Sequence, residues 1–185
     1  PLLLGVAVEG NPVEVEWQAG VLDRELRAGG AADVTWVRDG DTAKLWSSLT
    51  DYQLGGESPV TIRACLKPSR TVDFVVAAID AGVAVQAHAG NGVVHGHLPD
   101  DTIDAQTAAE VIEPLRDLAV EGGGQLVVER CELGWHNALS MWGSSRADWS
   151  LMTAVKRQFD PEGLLSPGRG IEAALQQLAL GGVDQ

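Results

Sequence analysis

Val83-Ala84-Val85-Gln86-Ala87-His88-Ala89-Gly90-Asn91-Gly92-Val93-Val94-His95-Gly96-His97 is the stretch on which the fold turns. Asn-Gly between two apolar runs is the strongest short-range hairpin signal, because a two-residue type I′ turn needs φ > 0 at both central positions. With Asn91 and Gly92 as that turn, His88 stands directly opposite His95 and Gln86 opposite His97. Side chains alternate along strands, so these four share one face of the sheet. Directly opposed residues hold their Cβ atoms about 4.5–5.5 Å apart. Two imidazoles at that separation suit a shared metal ion or a shared substrate.

The hairpin sits in a chain of 185 residues, long enough for a single domain with its own core. Before it, residues 2–9 and 32–38 read as Val/Leu-rich strands flanking a helix that Asn11-Pro12 opens and Gly29-Gly30 closes. Asp41 caps a helix to about Tyr52. Val60, Ile62, Ala64 and Leu66 alternate with Thr61, Arg63 and Cys65 in a half-buried strand over 59–66. A helix from Pro68-Ser69 to Gly82 leads into the hairpin. After it come a helix over 101–121, with Pro114 a kink point, and a strand over 125–130. The Trp- and Gly-rich stretch 131–149 is irregular. A helix follows over 147–158, then a turn-rich tail and a last helix over 171–180. The order β-α-β-α-β-α-β-β-α-β-α predicts an α+β domain, a largely antiparallel sheet covered by helices, built from ferredoxin-like halves.

Composition narrows the function. The net charge of −13 arises from 26 acidic and 13 basic residues. No basic cluster interrupts it, which argues against nucleic acid or an anionic membrane as partner. The apolar runs are too short to span a bilayer. Pro1–Val8 lacks the basic start and cleavage pattern of a signal peptide. A chain that opens without Met reads as processed or as a fragment of a longer one. Cys65 and Cys131 lie on apolar segments without metal-site spacing and read as reduced thiols of a cytoplasmic protein.

Candidate chemistry starts from the histidine face of the hairpin, and periodicity alone does not show whether Glu129 points at it. His88 and His95 supply two ligands for zinc or manganese, and Glu129, an acid closing the apolar run Leu126-Val127-Val128, is the candidate third. The alternative is a solvent-facing histidine pair, with Glu129 bound to Arg130 or Arg63. His97 and Gln86 extend the face, as partners that fix an imidazole tautomer or as plain surface residues. Arg63, in mid-strand, suits a substrate carboxylate, which a guanidinium grips through two parallel hydrogen bonds; a surface salt bridge is its other reading. No G-x-S-x-G elbow, P-loop or H-E-x-x-H motif occurs, and Gly122-Gly123-Gly124 precedes a strand rather than a helix.

Lys156-Arg157-Gln158-Phe159-Asp160-Pro161-Glu162-Gly163-Leu164-Leu165-Ser166-Pro167-Gly168-Arg169 resembles the closing signature of FAD-linked oxidases of the vanillyl-alcohol oxidase type. His88–His95 looks like that family's H-x-G-[DN]-G-N-[LIV]-H motif, and Leu4–Trp17 resembles the start of its C-terminal domain. Within the family the chain is similar to the smaller FAD-binding subunit of glycolate oxidase. The resemblance implies a C-terminal cap domain, its FAD-binding domain lying outside this chain, that helps FAD oxidise a small 2-hydroxy acid such as glycolate or D-lactate. It implies a divalent metal on His88, His95 and Glu129; Arg63 and His97 are the candidate catalytic residues, and Ser166 and Arg169 the candidate cofactor contacts. The chain departs from the pattern in three places. Val93 stands where the motif has Asn, Arg130-Cys131 follow Glu129 where the family has His-Gly, and Ser166 replaces the Asn of the Asn-Pro-Gly turn. Those departures suit a non-catalytic subunit domain assembled with a catalytic flavoprotein and an iron–sulfur subunit, and the isolated chain is expected to be inactive. A stand-alone metal-binding module is the third reading.

Overall fold

A computed structural model of the chain describes residues 2–38, 40–53, 57–102 and 104–171. The chain divides into two compact units, Pro1–Ser47 and Ser48–Gln185.

In the first unit, helix α1 (Pro12–Ala28) begins where the sequence calls for it. Asn11 Oδ1 accepts from the amides of Val13 at 3.1 Å and Glu14 at 3.0 Å, and Glu14 returns a carboxylate to the Asn11 amide. This reciprocal box satisfies amides that no helical carbonyl can reach. The strands expected over 2–9 and 32–38 are absent: both stretches are irregular among the described residues. Their apolar pattern suits a strand, but a strand is stable only when its amides and carbonyls find a partner. None pairs with them here, and Leu2, Leu3, Leu4 and Val6 remain exposed. Helix α2 (Gly40–Thr50) runs into a single 3-10 turn at Asp51–Gln53.

The second unit carries the sheet. Strands β1 (Val60–Cys65), β2 (Ala84–His88), β3 (Val93–His97) and β4 (Gln125–Cys131) lie in the order β2-β3-β1-β4, every neighbour antiparallel. Helix α3 (Thr71–Asp80) links β1 to β2, which flank β3, and helix α4 (Ala105–Glu121) links β3 to β4, which flank β1. These are two split β-α-β halves, the ferredoxin-like arrangement expected from the pattern. Ile62, Ala64, Val94 and Val128 point to one side and pack with Phe74 and Ala78 of α3 and with Ala108, Ile112 and Leu115 of α4. Asp104 caps α4 by accepting from the Thr107 amide at 2.8 Å, and the helix runs on through Pro114. Arg116, 3 % exposed, reaches from α4 to the Ser140 carbonyl at 2.6 Å and to Glu113, pinning the irregular stretch before helix α5 (Trp149–Phe159). The last predicted helix lies beyond Ile171, outside the described residues.

The hairpin register differs from the sequence reading. Gln86, not His88, stands opposite His95, and Ala84 opposite His97. The loop is Ala89–Gly92 rather than Asn91-Gly92 alone: the His88 carbonyl accepts from the amides of Asn91 at 3.1 Å and Gly92 at 3.0 Å. Gly92 takes φ +74°, while Asn91 stays at negative φ, so no type I′ turn forms. The cause lies outside the hairpin. The Leu66 amide donates to the Gly92 carbonyl at 2.8 Å, and a Cβ on Gly92 would lie 2.0 Å from the Leu66 carbonyl oxygen. Packing against the end of β1 sets the turn. The slip is two residues, so every side chain keeps its face.

Candidate functional site

The side of the sheet away from α3 and α4 carries the alternate positions Arg63 of β1, Gln86 and His88 of β2, His95 and His97 of β3, and Glu129 of β4. Arg63 pairs with His95 across β1 and β3. Between β1 and β4 the register breaks: Ile62 faces Val128 but Thr61 faces Arg130, leaving Glu129 as the extra residue of a β-bulge. A bulge re-aims the side chain it carries. Glu129 uses that freedom to place Oε1 3.0 Å from Arg63 Nε and Oε2 3.5 Å from His95 Nδ1.

His95 is 6 % exposed. Burial pushes its pKa below the ordinary histidine range, the neighbouring Glu129 works against that shift, and His88 and Arg63 add to it. The imidazole is therefore neutral near pH 7. His88 is a diagonal neighbour, its ring centroid 6.2 Å from that of His95 and nearly perpendicular to it at 82°. Arg63 pairs with Glu129 by charge, its Nε making no aligned hydrogen bond among the described residues, and the side chain is 42 % exposed.

The other two predicted residues are engaged elsewhere. His97 Nε2 meets the Tyr52 carbonyl at 2.8 Å, with the Tyr52 ring edge-on at 4.7 Å between centroids. Gln86 Nε2 donates to the Leu49 carbonyl at 2.9 Å. The end of α2 and the turn after it thus roof one edge of the polar face. Nothing in the sequence marks Leu49 and Tyr52 for this, because they contribute backbone carbonyls across more than thirty residues.

Among the described residues no group of three or more His, Cys, Asp or Glu side chains is placed to hold a metal ion. The longer loop moves His88 off the position opposite His95, and the two Glu129 oxygens face Arg63 and His95. His88, His95 and Glu129 share a face, and Glu129 makes the ion pair with Arg63 that was the alternative reading.

The closing segment is held by Asp160 at the end of α5. Its carboxylate contacts Lys156 Nζ and accepts from the amides of Leu164 at 2.8 Å and Leu165 at 3.0 Å. The Lys156 contact, followed by those amides, holds its pKa below the usual carboxylate range. The Lys and Asp of the signature therefore shape the turn. Ser166, in the left-handed region at φ +48°, accepts from the Arg169 amide at 3.2 Å, and the Arg169 carbonyl accepts from Trp142 Nε1 at 3.2 Å. Both Ser166 and Arg169 are exposed. Among the described residues no helix is long and apolar enough to cross a membrane.

Comparison with known proteins agrees with the motifs. The family model described as FAD linked oxidases, C-terminal domain, matches residues 1–169. Neither curated proteins nor solved structures return a match.

Proposed function

We propose a function that starts from family membership: the chain belongs to the FAD-linked oxidases, as their C-terminal domain, and its polar sheet face forms the substrate side of an active site for a small 2-hydroxy acid of the glycolate or D-lactate type. The observation that carries this reading is the arginine in mid-sheet. Glu129 Oε1 lies 3.0 Å from Arg63 Nε, an ion pair that leaves the arginine side chain, with its planar fork, 42 % exposed. Such a fork matches a carboxylate. FAD, when bound, supplies the chemistry by taking a hydride from the substrate's α-carbon. Arg63 binds and orients the carboxylate. His95, kept neutral by burial, offers an imidazole beside it that can accept a proton. The exposed Arg169 cation and Ser166 hydroxyl on the closing turn suit the anionic part of FAD.

A subunit domain that assembles with a catalytic flavoprotein and an iron–sulfur partner is the second reading. It is favoured by the exposed apolar stripe Leu151, Met152, Val155 and Phe159 on α5. Anaerobic mixing of the FAD-loaded protein that contains this domain with a substrate panel separates the two. Bleaching of the flavin by glycolate or D-lactate, and not by ethylene glycol, supports the first. A flavin that none of them reduces, in a protein that co-purifies with a second flavoprotein, replaces it with the second.

A further inference from the structure

Under the roof at the edge of the sheet lie three polar atoms that are sealed from solvent and have no hydrogen-bond partner among the described residues: Tyr52 Oη, Gln86 Oε1 and His97 Nδ1. They belong to one contiguous group. Gln86 and His97 are diagonal neighbours on β2 and β3, and Tyr52 stacks edge-on against His97 at 4.7 Å. Buried polar groups are hydrogen-bonded as a rule, and three orphans in one place require a common explanation.

Their neighbours fix their chemistry. The Tyr52 carbonyl only accepts, so His97 Nε2, 2.8 Å away, carries the hydrogen. In the neutral imidazole Nδ1 is then a bare acceptor. The Leu49 carbonyl likewise fixes the Gln86 amide with its nitrogen outward to the roof, 2.9 Å from that oxygen, so Oε1 is the second acceptor. Tyr52 keeps its proton, since burial raises its pKa, and its hydroxyl can give or take a hydrogen bond. Two acceptors and one hydroxyl reject a carboxylate, which brings acceptors only, and accept a group with O–H to donate.

We propose that Tyr52, Gln86 and His97 form a small enclosed site for a single O–H guest, either a structural water or the hydroxyl of a small alcohol or hydroxy acid. The site lies beside the Arg63–Glu129–His95 group but uses none of its residues, and the inference does not depend on the oxidase reading. It assigns His97 and Gln86 the role of holding a hydroxyl, with the roof carbonyls setting their tautomer and orientation.

The test uses the 15N-labelled chain in solution. Ring-nitrogen correlation spectra give the His97 tautomer, water-selective nuclear Overhauser effects report a bound water at the Tyr52 and His97 rings, and glycolate, ethylene glycol and acetate are titrated in turn. The expected tautomer is Nε2–H. A long-lived water contact that none of the three compounds displaces identifies the guest as structural water. Displacement by glycolate or ethylene glycol, with no response to acetate, identifies a ligand hydroxyl. Tyr52→Phe, which removes one oxygen, should abolish the water contact or weaken the hydroxyl compound at least tenfold while the backbone spectrum stays intact. An Nδ1–H tautomer, a response to acetate equal to that of glycolate, the lack of both water and hydroxyl binding, or an unchanged Tyr52→Phe each overturns the proposal.

Discussion

Replacing Gly92 with Ala tests the turn that positions the histidines. Two penalties are legible in the structure. At φ +74° an L-residue costs roughly 1–2 kcal/mol in the left-handed region. The added Cβ would also lie 2.0 Å from the Leu66 carbonyl oxygen, far inside contact, so the turn must move off β1. That movement breaks the 2.8 Å bond from the Leu66 amide to the Gly92 carbonyl, whose loss from a partly sealed position adds about 1–3 kcal/mol. The total is about 3 kcal/mol. Asn91→Ala is the contrast. Asn91 has negative φ, and its side chain makes one exposed bond, accepting from the Val93 amide at 3.2 Å, so about 0.5–1 kcal/mol is expected. A type I′ turn would instead penalise both changes. Urea unfolding followed by circular dichroism gives both numbers from the shift in midpoint at constant slope. A Gly92→Ala loss below about 1 kcal/mol, or equal losses at the two positions, refutes the four-residue loop and its contact with Leu66.

Three further outcomes are expected. His95 has a folded pKa depressed by burial, so the unfolded chain binds the extra proton. Stability is therefore full above about pH 6.5 and falls as pH drops below it, by at most about 1.4 kcal/mol per pH unit, and His95→Gln should flatten that slope in pH-dependent unfolding. Ser166→Asn, at φ +48°, puts a residue tolerant of the left-handed region into the closing turn and should raise stability by about 0.5 kcal/mol in the same assay; a loss would contradict the assigned strain. Arg116→Met strips the Ser140 carbonyl of its 2.6 Å donor. It should destabilise by about 2 kcal/mol and speed amide exchange across residues 132–148; unchanged exchange there would show that the arginine does not hold the segment.

What the sequence made legible was local periodicity. The strands over Val60–Cys65 and Gln125–Cys131, the helix cap at Asn11, and turns at Gly82 and Gly122 are each decided within a few residues, and the structure keeps them, while the helix expected from 101 starts at Ala105, capped by Asp104. Period-two alternation also placed His88, His95, His97 and Gln86 on one face, and that survived a two-residue slip because an even shift preserves faces. What it hid was long-range. The hairpin register depends on Leu66 meeting Gly92, and the aim of Glu129 on a bulge opposite Thr61 and Ile62. Neither has a local signature. Leu2–Val8 and Val34–Val37 have strand-like composition, but composition does not supply a pairing partner. The roof of Leu49 and Tyr52 acts through backbone carbonyls, which every residue carries.

The central claim is that Arg63 reads a substrate carboxylate, and it is tested most directly by comparing glycolate with ethylene glycol as reductants of the FAD-loaded protein containing this domain. A charge-assisted pair of hydrogen bonds to the carboxylate is worth about 1.5–3 kcal/mol, a preference of roughly 10- to 150-fold in kcat/KM. The account predicts that preference in the natural protein and its collapse toward unity in Arg63→Met, through loss of glycolate turnover with ethylene glycol little changed. A preference for glycolate that persists undiminished in Arg63→Met would contradict it.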